Sequence, residues 1–157
     1  MFVVDLFFAV TDYCLNVLQR GRRKPHIKGS PQRMAGDKAE LFALAQLQRE
    51  GFSLIERNLS DSRGELDLVG RQNGFDGIVV VEVRSRSEGS PLDPRDTVRG
   101  AKKRQVINTA RRLLKRRQLD REPVRFDIVG VWVNAAGEPV KAERFADAFD
   151  AGILKKR

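Results

Sequence analysis

A carboxylate set inside a run of valines constrains this chain more than any other feature. Ile78-Val79-Val80-Val81-Glu82-Val83 is apolar enough for a buried strand, and Glu82 interrupts it. A buried charge in such a run is costly unless something pairs with it. Just upstream, Gly64-Glu65-Leu66-Asp67-Leu68 alternates acids with leucines. Between the two runs lie Asn73, Gly74, Asp76 and Gly77, which are turn formers. The stretch from Gly64 to Arg86 therefore reads as two strands joined by a turn. Strand side chains alternate faces, so Glu65 and Asp67 share one face, and Glu82 and Arg84 share one face. The spacing predicts Asp67 and Glu82 on neighbouring strands and the same side of the sheet.

The other residue types narrow the chemistry. Cys14 is the sole cysteine, so neither a disulfide framework nor a cysteine zinc site forms within one chain. His26 is the sole histidine and lies in a basic stretch with no triad partners near it. The carboxylates remain as the catalytic or metal-binding set. With 157 residues, 41% of them apolar, the chain is long enough for one domain with a core. A net charge of +9 suits a polyanion partner, nucleic acid before others.

Met1 to Leu18 is apolar but carries Asp5 and Asp12, and its positive charges follow the apolar run instead of preceding it. Residues 1–19 therefore read as an N-terminal extension that a short amphipathic helix fits, not as a secretory signal; a signal anchor with Arg20 to Lys24 inside is the alternative. A cytoplasmic protein without a membrane partner is expected. Residues 20–35 form a linker: Arg20 to Arg33 holds six Lys or Arg and no acid, with two prolines and two glycines. The main domain is expected over 36–154, with a basic tail at 155–157.

Within that domain, Asp37 is the expected N-cap of a helix from Lys38 to Glu50, closed by Gly51. Ala39, Phe42, Ala43 and Leu47 give it a buried face. Phe52 to Leu59 reads as a strand and Ser60 to Ser62 as a turn. After a loop from Ser87 to Pro94, a long helix is expected from Asp96 to about Leu119, with Val98, Ala101, Ile107, Ala110, Leu113 and Leu114 inward. Its remaining surface is basic: Arg99, Lys102, Lys103, Arg104, Arg111, Arg112, Lys115, Arg116 and Arg117. Such a stripe suits phosphates, with Lys102, Lys103, Arg104, Arg111 and Lys115 as nucleic-acid contacts. Val124 to Asn134 reads as a buried strand, Val140 to Phe145 as a short final strand, and Ala146 to Ile153 as weakly helical. This order of elements gives an α/β fold on a mixed sheet of about four or five strands.

Two carboxylates with a neighbouring carbonyl, such as that of Val83, suit a hard cation such as Mg²⁺ or Mn²⁺. A cation there polarises a phosphodiester and activates water. The residues also carry a resemblance. Asp67, followed fifteen residues later by Glu82-x-Arg84, resembles the PD-(D/E)xK nuclease signature with its last position changed. More closely, the chain resembles the YraN family, which is similar to archaeal Holliday-junction resolvases. The matching residues are Gly36-x-x-Ala39-Glu40, Arg57-Asn58, Gly64 to Leu68, Val81-Glu82-Val83-Arg84-x-Arg86, Lys102 and Arg125 to Val129.

That resemblance implies a restriction-endonuclease-like fold and an endonuclease acting on branched or structured DNA. It implies Asp67, Glu82 and Glu40 as metal-side acids, Asp67, Glu82 and Arg84 as the catalytic set, and two active sites paired in a homodimer. Arg84 stands where nucleases of this fold place lysine. Arginine stays charged, so Arg84 can stabilise charge and orient water but cannot act as a general base. A nuclease fold that binds nucleic acid without cutting it is the alternative, with the cleft acids paired to Arg84 and Arg86.

Overall fold

The computed structural model describes residues 31–151. The apolar extension at 1–19, most of the basic stretch 20–35 and the tail at 155–157 lie outside the described residues. The described chain runs α1 (Pro31–Arg49), β1 (Phe52–Asp61), β2 (Gly64–Gln72), β3 (Phe75–Ser87), α2 (Pro94–Thr97), α3 (Gly100–Arg116), β4 (Val124–Val133) and β5 (Pro139–Phe149). The strands form one sheet in the order β1-β2-β3-β4-β5. Only the β3–β4 pair is parallel, and α2 and α3 make its crossover. The fold is α/β, a mixed sheet flanked by helices.

Each helix covers one face of the sheet. Ala39, Ala43, Leu44 and Leu47 of α1 pack on Leu68, Val79, Val81, Val129 and Val131. Val106, Ile107, Ala110, Leu113 and Leu114 of α3 pack on Leu59, Leu66, Val69, Ile78, Val80, Phe126 and Ile128. The valine run of β3 thus feeds both cores by simple alternation, which is why it is continuously apolar. Strand β2 does not alternate simply. Leu66 lies in the α3 core and Leu68 in the α1 core, although a regular strand would give them one face. The break falls at Asp67. Opposite it, Asn58 adopts a positive φ of 53°, and ladder partners resume only at Arg57↔Leu68 and Leu59↔Leu66.

Several boundaries differ from expectation. The first helix starts at Pro31, not Lys38, so Gly36 and Asp37 lie inside it and Asp37 caps nothing. Proline is tolerated in a first helical turn, so Pro31 opens a helix instead of extending a linker. Gly51 does close the helix, at φ +88°. Strand β1 runs through Asp61, and the turn narrows to Ser62-Arg63.

The long helix is broken in two. Asp93 caps the short α2, its carboxylate accepting the Arg95 N–H, while buried Val98 sits in the break and Ala101 is exposed. The last strand reaches Phe149, so Ala146 to Phe149 is strand and not helix. A bulge at Asp147 (φ 50°) hides its alternation from the sequence.

Candidate active site

The central hairpin opens into a cleft. Strands β2 and β3 pair from Gln72↔Phe75 to Leu68↔Val81 and then part. Beyond that point β2 pairs with β1, and β3 pairs with β4 through Ser87↔Val133. In place of a ladder bond, Asp67 Oδ2 accepts the Val83 N–H at 2.7 Å. The side chain of Asp67 thereby bridges the two strands where their backbones separate. A cleft of about 430 Å³ lies here, lined by Gly36, Ala39 and Glu40 of α1, Asp67 of β2, Glu82 to Arg86 of β3, Thr97 and Lys102.

Glu82 follows Ile78 and Val80 on the α3 side of β3, and its side chain is only 3% exposed. Its Oε1 meets both Arg84 Nη2 and Lys102 Nζ at 2.9 Å. Its Oε2 is buried without a hydrogen-bond partner, and so is Oε2 of Glu40. Burial, then repulsion from Glu82, pushes the Asp67 carboxyl up to about 7. Burial, then repulsion from Asp67, pushes Glu40 up to about 7 as well. Asp67 thus stands electrostatically between the other two acids. Among the described residues no three acidic, histidine or cysteine side chains stand close enough to form a complete metal-ligand set.

The acids therefore approach the cleft from different elements, not from one face of a flat sheet. Glu82 comes from the α3 side, Glu40 from α1, and Asp67 from the break between them. The donor set fits a hard cation of the Mg²⁺ type. Buried carboxylate oxygens without donors, and acids whose proton affinity is raised by burial first and by mutual repulsion second, are what such a cation relieves. Mg²⁺ usually takes one or two carboxylates and keeps several waters, so an incomplete protein ligand set is in keeping with it.

Glu65, Asp127 and Arg86 stand apart from this set of acids. Glu65 is exposed and takes no part in the cleft lining. Asp127 is fully buried at the other end of the α1 face. Arg125 Nε (2.8 Å), Arg144 Nη2 (2.6 Å) and the Asp147 N–H (3.0 Å) hold it there. Arg84 does pair with a cleft acid, but Arg86 makes no such pair and its Nε is buried without a partner.

The cationic helix is divided by its neighbours. Lys102 turns into the cleft, and Lys103 Nζ sits 5.7 Å from the Phe149 ring. Arg112 and Arg116 pair with Asp61, and Arg117 pairs with Glu56. Arg104, Arg111 and Lys115 are exposed and form one outward stripe without carboxylate partners among the described residues. Sequence reasoning had no signal for this division, because the acids responsible lie on β1.

The fold and cleft define an α/β protein with a mixed sheet and an acid-and-arginine site where two of its strands separate. The chain belongs to the family described as uncharacterised protein family UPF0102, the YraN family, whose model matches residues 39–131. That span holds Glu40, Asp67, Glu82, Arg84 and Lys102. A UPF0102 protein of Syntrophotalea carbinolica is 36% identical over 111 residues, covering 71% of this chain and 87% of the relative. Another from Anaeromyxobacter sp. is 38% identical over 119 residues, covering 76% and 86%.

Among solved structures, a repair endonuclease from Pyrococcus abyssi aligns at 20% identity and a TM-score of 0.31. The alignment covers 71% of this chain but only 40% of that one, and a likeness of that size carries no argument about fold or activity. Among the described residues no helix is long and apolar enough to cross a membrane.

Proposed function

We propose that the cleft is the active site of a metal-dependent endonuclease that hydrolyses phosphodiester bonds, with branched or structured DNA as its substrate. The observation that carries this reading is that Glu40, Asp67 and Glu82, from three elements, line one cleft at a strand divergence, with two buried carboxylate oxygens left open. Asp67 and Glu82 would hold Mg²⁺ or Mn²⁺, with Glu40 beside them. A bound cation would supply Lewis-acid activation of the phosphate and of the attacking water.

The chain's own residues do the rest. Oε1 of Glu82 is fixed by Arg84 and Lys102, so its Oε2 is the oxygen left to face a cation. The Val83 N–H fixes Asp67 in the same way. A guanidinium is a poor proton donor and acceptor, so Arg84 serves to oppose the negative charge that grows on the phosphate and not to move a proton. The outward stripe of Arg104, Arg111 and Lys115 holds the polyanion by sequence-independent contacts, and Lys103 flanks it. Resemblance to resolvases supports the branched substrate and a homodimer.

The test is cleavage of junction, flap and duplex DNA by purified protein with Mg²⁺ or Mn²⁺. Cutting that disappears in Asp67→Ala supports the reading. No cutting by the wild type, or equal background from Asp67→Ala, counts against it. A second reading also has an observation in its favour: Lys102 and Arg84 already neutralise Glu82. A module that binds nucleic acid without cutting needs no other cation, and it would bind with a steep salt dependence while showing no stoichiometric Mn²⁺ site.

A further inference from the structure

Arg86 is the cleft residue to which the hydrolytic reading gives no task. It lines the cleft and is half-buried. Its Nη1 donates to the main-chain carbonyl of Ser85 at 3.0 Å, and its buried Nε donates to nothing. Of the other half-buried arginines, Arg84 holds Glu82, Arg112 holds Asp61, and Arg125 and Arg144 hold Asp127, while Arg57, outside the cleft lining, holds no carboxylate among the described residues and leaves its buried Nη1 without a partner. Among the described residues Arg86 has no carboxylate. A guanidinium drawn out of water without an anion is costly, and at the wall of an open polar cleft the missing anion is a ligand.

The position of Arg86 says which ligand group it meets. Strands β3 and β4 keep unbroken parallel register from Ile78↔Val124 to Ser87↔Val133. Residues 82, 84 and 86 therefore follow one another on the same face of β3. At about 3.3 Å per residue, Arg84 and Arg86 are about 6.6 Å apart along the strand. That step is comparable with the step from one phosphate to the next along a single nucleic-acid strand. Glu82 and Arg84 belong to the phosphate at the acids, so Arg86 stands one phosphate further on.

We propose that Arg86 is a second phosphate contact, which makes the ligand of the cleft a strand with at least two consecutive phosphates instead of a single phosphodiester. This rests on the reading of the cleft as a phosphodiester site. It does not require that the site cuts. Arg86 binds the neighbouring phosphate through its fork of N–H donors and sets how far the strand advances past Glu82.

The test is competition binding in EDTA, so that no cleavage intervenes, with the full chain displaced from a fluorescent oligothymidylate. The competitors are thymidylyl-thymidine, which has one phosphate, and the same dinucleotide carrying an added 5′- or 3′-phosphate. Wild-type protein should bind one of the two-phosphate forms about tenfold more tightly than the one-phosphate form. Arg86→Gln should remove that preference and leave the affinity for thymidylyl-thymidine unchanged. Arg86→Lys, which keeps the charge and loses the fork, should keep part of it.

No preference in the wild type overturns the proposal, and so does an equal loss for all three competitors in Arg86→Gln. If the wild type binds none of the three, in EDTA or with Ca²⁺ supplied in its place as a hard cation, the reading of the cleft as a phosphodiester site fails with it. If they bind but no DNA is ever cut, the nuclease reading fails and the Arg86 contact stands.

Discussion

Replacing Asp67 by asparagine should stabilise the protein above neutral pH and do little in acid. Burial and the charge of Glu82 raise the Asp67 carboxyl from 3.8 to about 7. Between those values the folded chain keeps a proton that the unfolded chain has released. Stability therefore falls as the pH rises from about 4 to about 7, and the penalty is complete above that. A displacement of this size corresponds to at most about 4 kcal/mol, at about 1.4 kcal/mol for each tenfold change in proton affinity.

Part of it is repulsion shared with Glu82 and Glu40, and Asp67 is not wholly shut off from water, so about 2 kcal/mol is the recoverable part. Asparagine keeps an oxygen for the Val83 N–H, so the strand bridge survives the change. Urea unfolding in EDTA, followed by the fluorescence of the single tryptophan Trp132, measures the effect. Asp67→Asn should gain about 2 kcal/mol near pH 8 and almost nothing near pH 4. An equal gain at both pH values, or a loss near pH 8, would refute the account of the cleft electrostatics.

Three further outcomes are expected. Arg144→Ala leaves buried Asp127 with Arg125 and the Asp147 N–H and should cost about 3 kcal/mol in urea unfolding without altering divalent-cation binding. Gly64→Ala puts a methyl group against Thr109 Oγ1 of α3 and should destabilise by about 1–3 kcal/mol. Most of that loss should return in the double variant with Thr109→Ala, and a simple sum of the two losses would mean that the clash is not the cause. Changing Arg104, Arg111 and Lys115 together to glutamine should lower the salt slope of duplex binding by about 0.9 for each phosphate that is no longer neutralised. An unchanged slope would remove the outward stripe from the interface.

The hairpin and its acids were legible because their signals are local. Alternating leucines, a continuous valine run and an Asn-Gly turn need no partner to be recognised. Glu40 was legible only through the family motif, since an acid in a first helical turn has an ordinary explanation in the helix dipole. What stayed hidden depends on contacts distant in sequence. The parting of β2 from β3 rests on Asp67 taking the Val83 N–H and on the positive φ of Asn58, and neither is written in periodicity.

The basic helix looked uniform because Asp61 and Glu56, which occupy three of its cations, lie on another strand. The pairing of Asp127 with Arg144, seventeen residues along the chain, was hidden in the same way. Pro31 and Gly36 misled the placing of the first helix, since both residue types more often mark loops than helical turns.

The central claim is that the parted strands form a cation site. Its most direct measurement is a crystal structure of the protein soaked in Mn²⁺, with anomalous density sought in the cleft. The account requires a peak ligated by both Asp67 and Glu82, with Oε2 of Glu82 turned to the metal. A cleft without a peak, in which Glu82 still holds only Arg84 and Lys102, would contradict it.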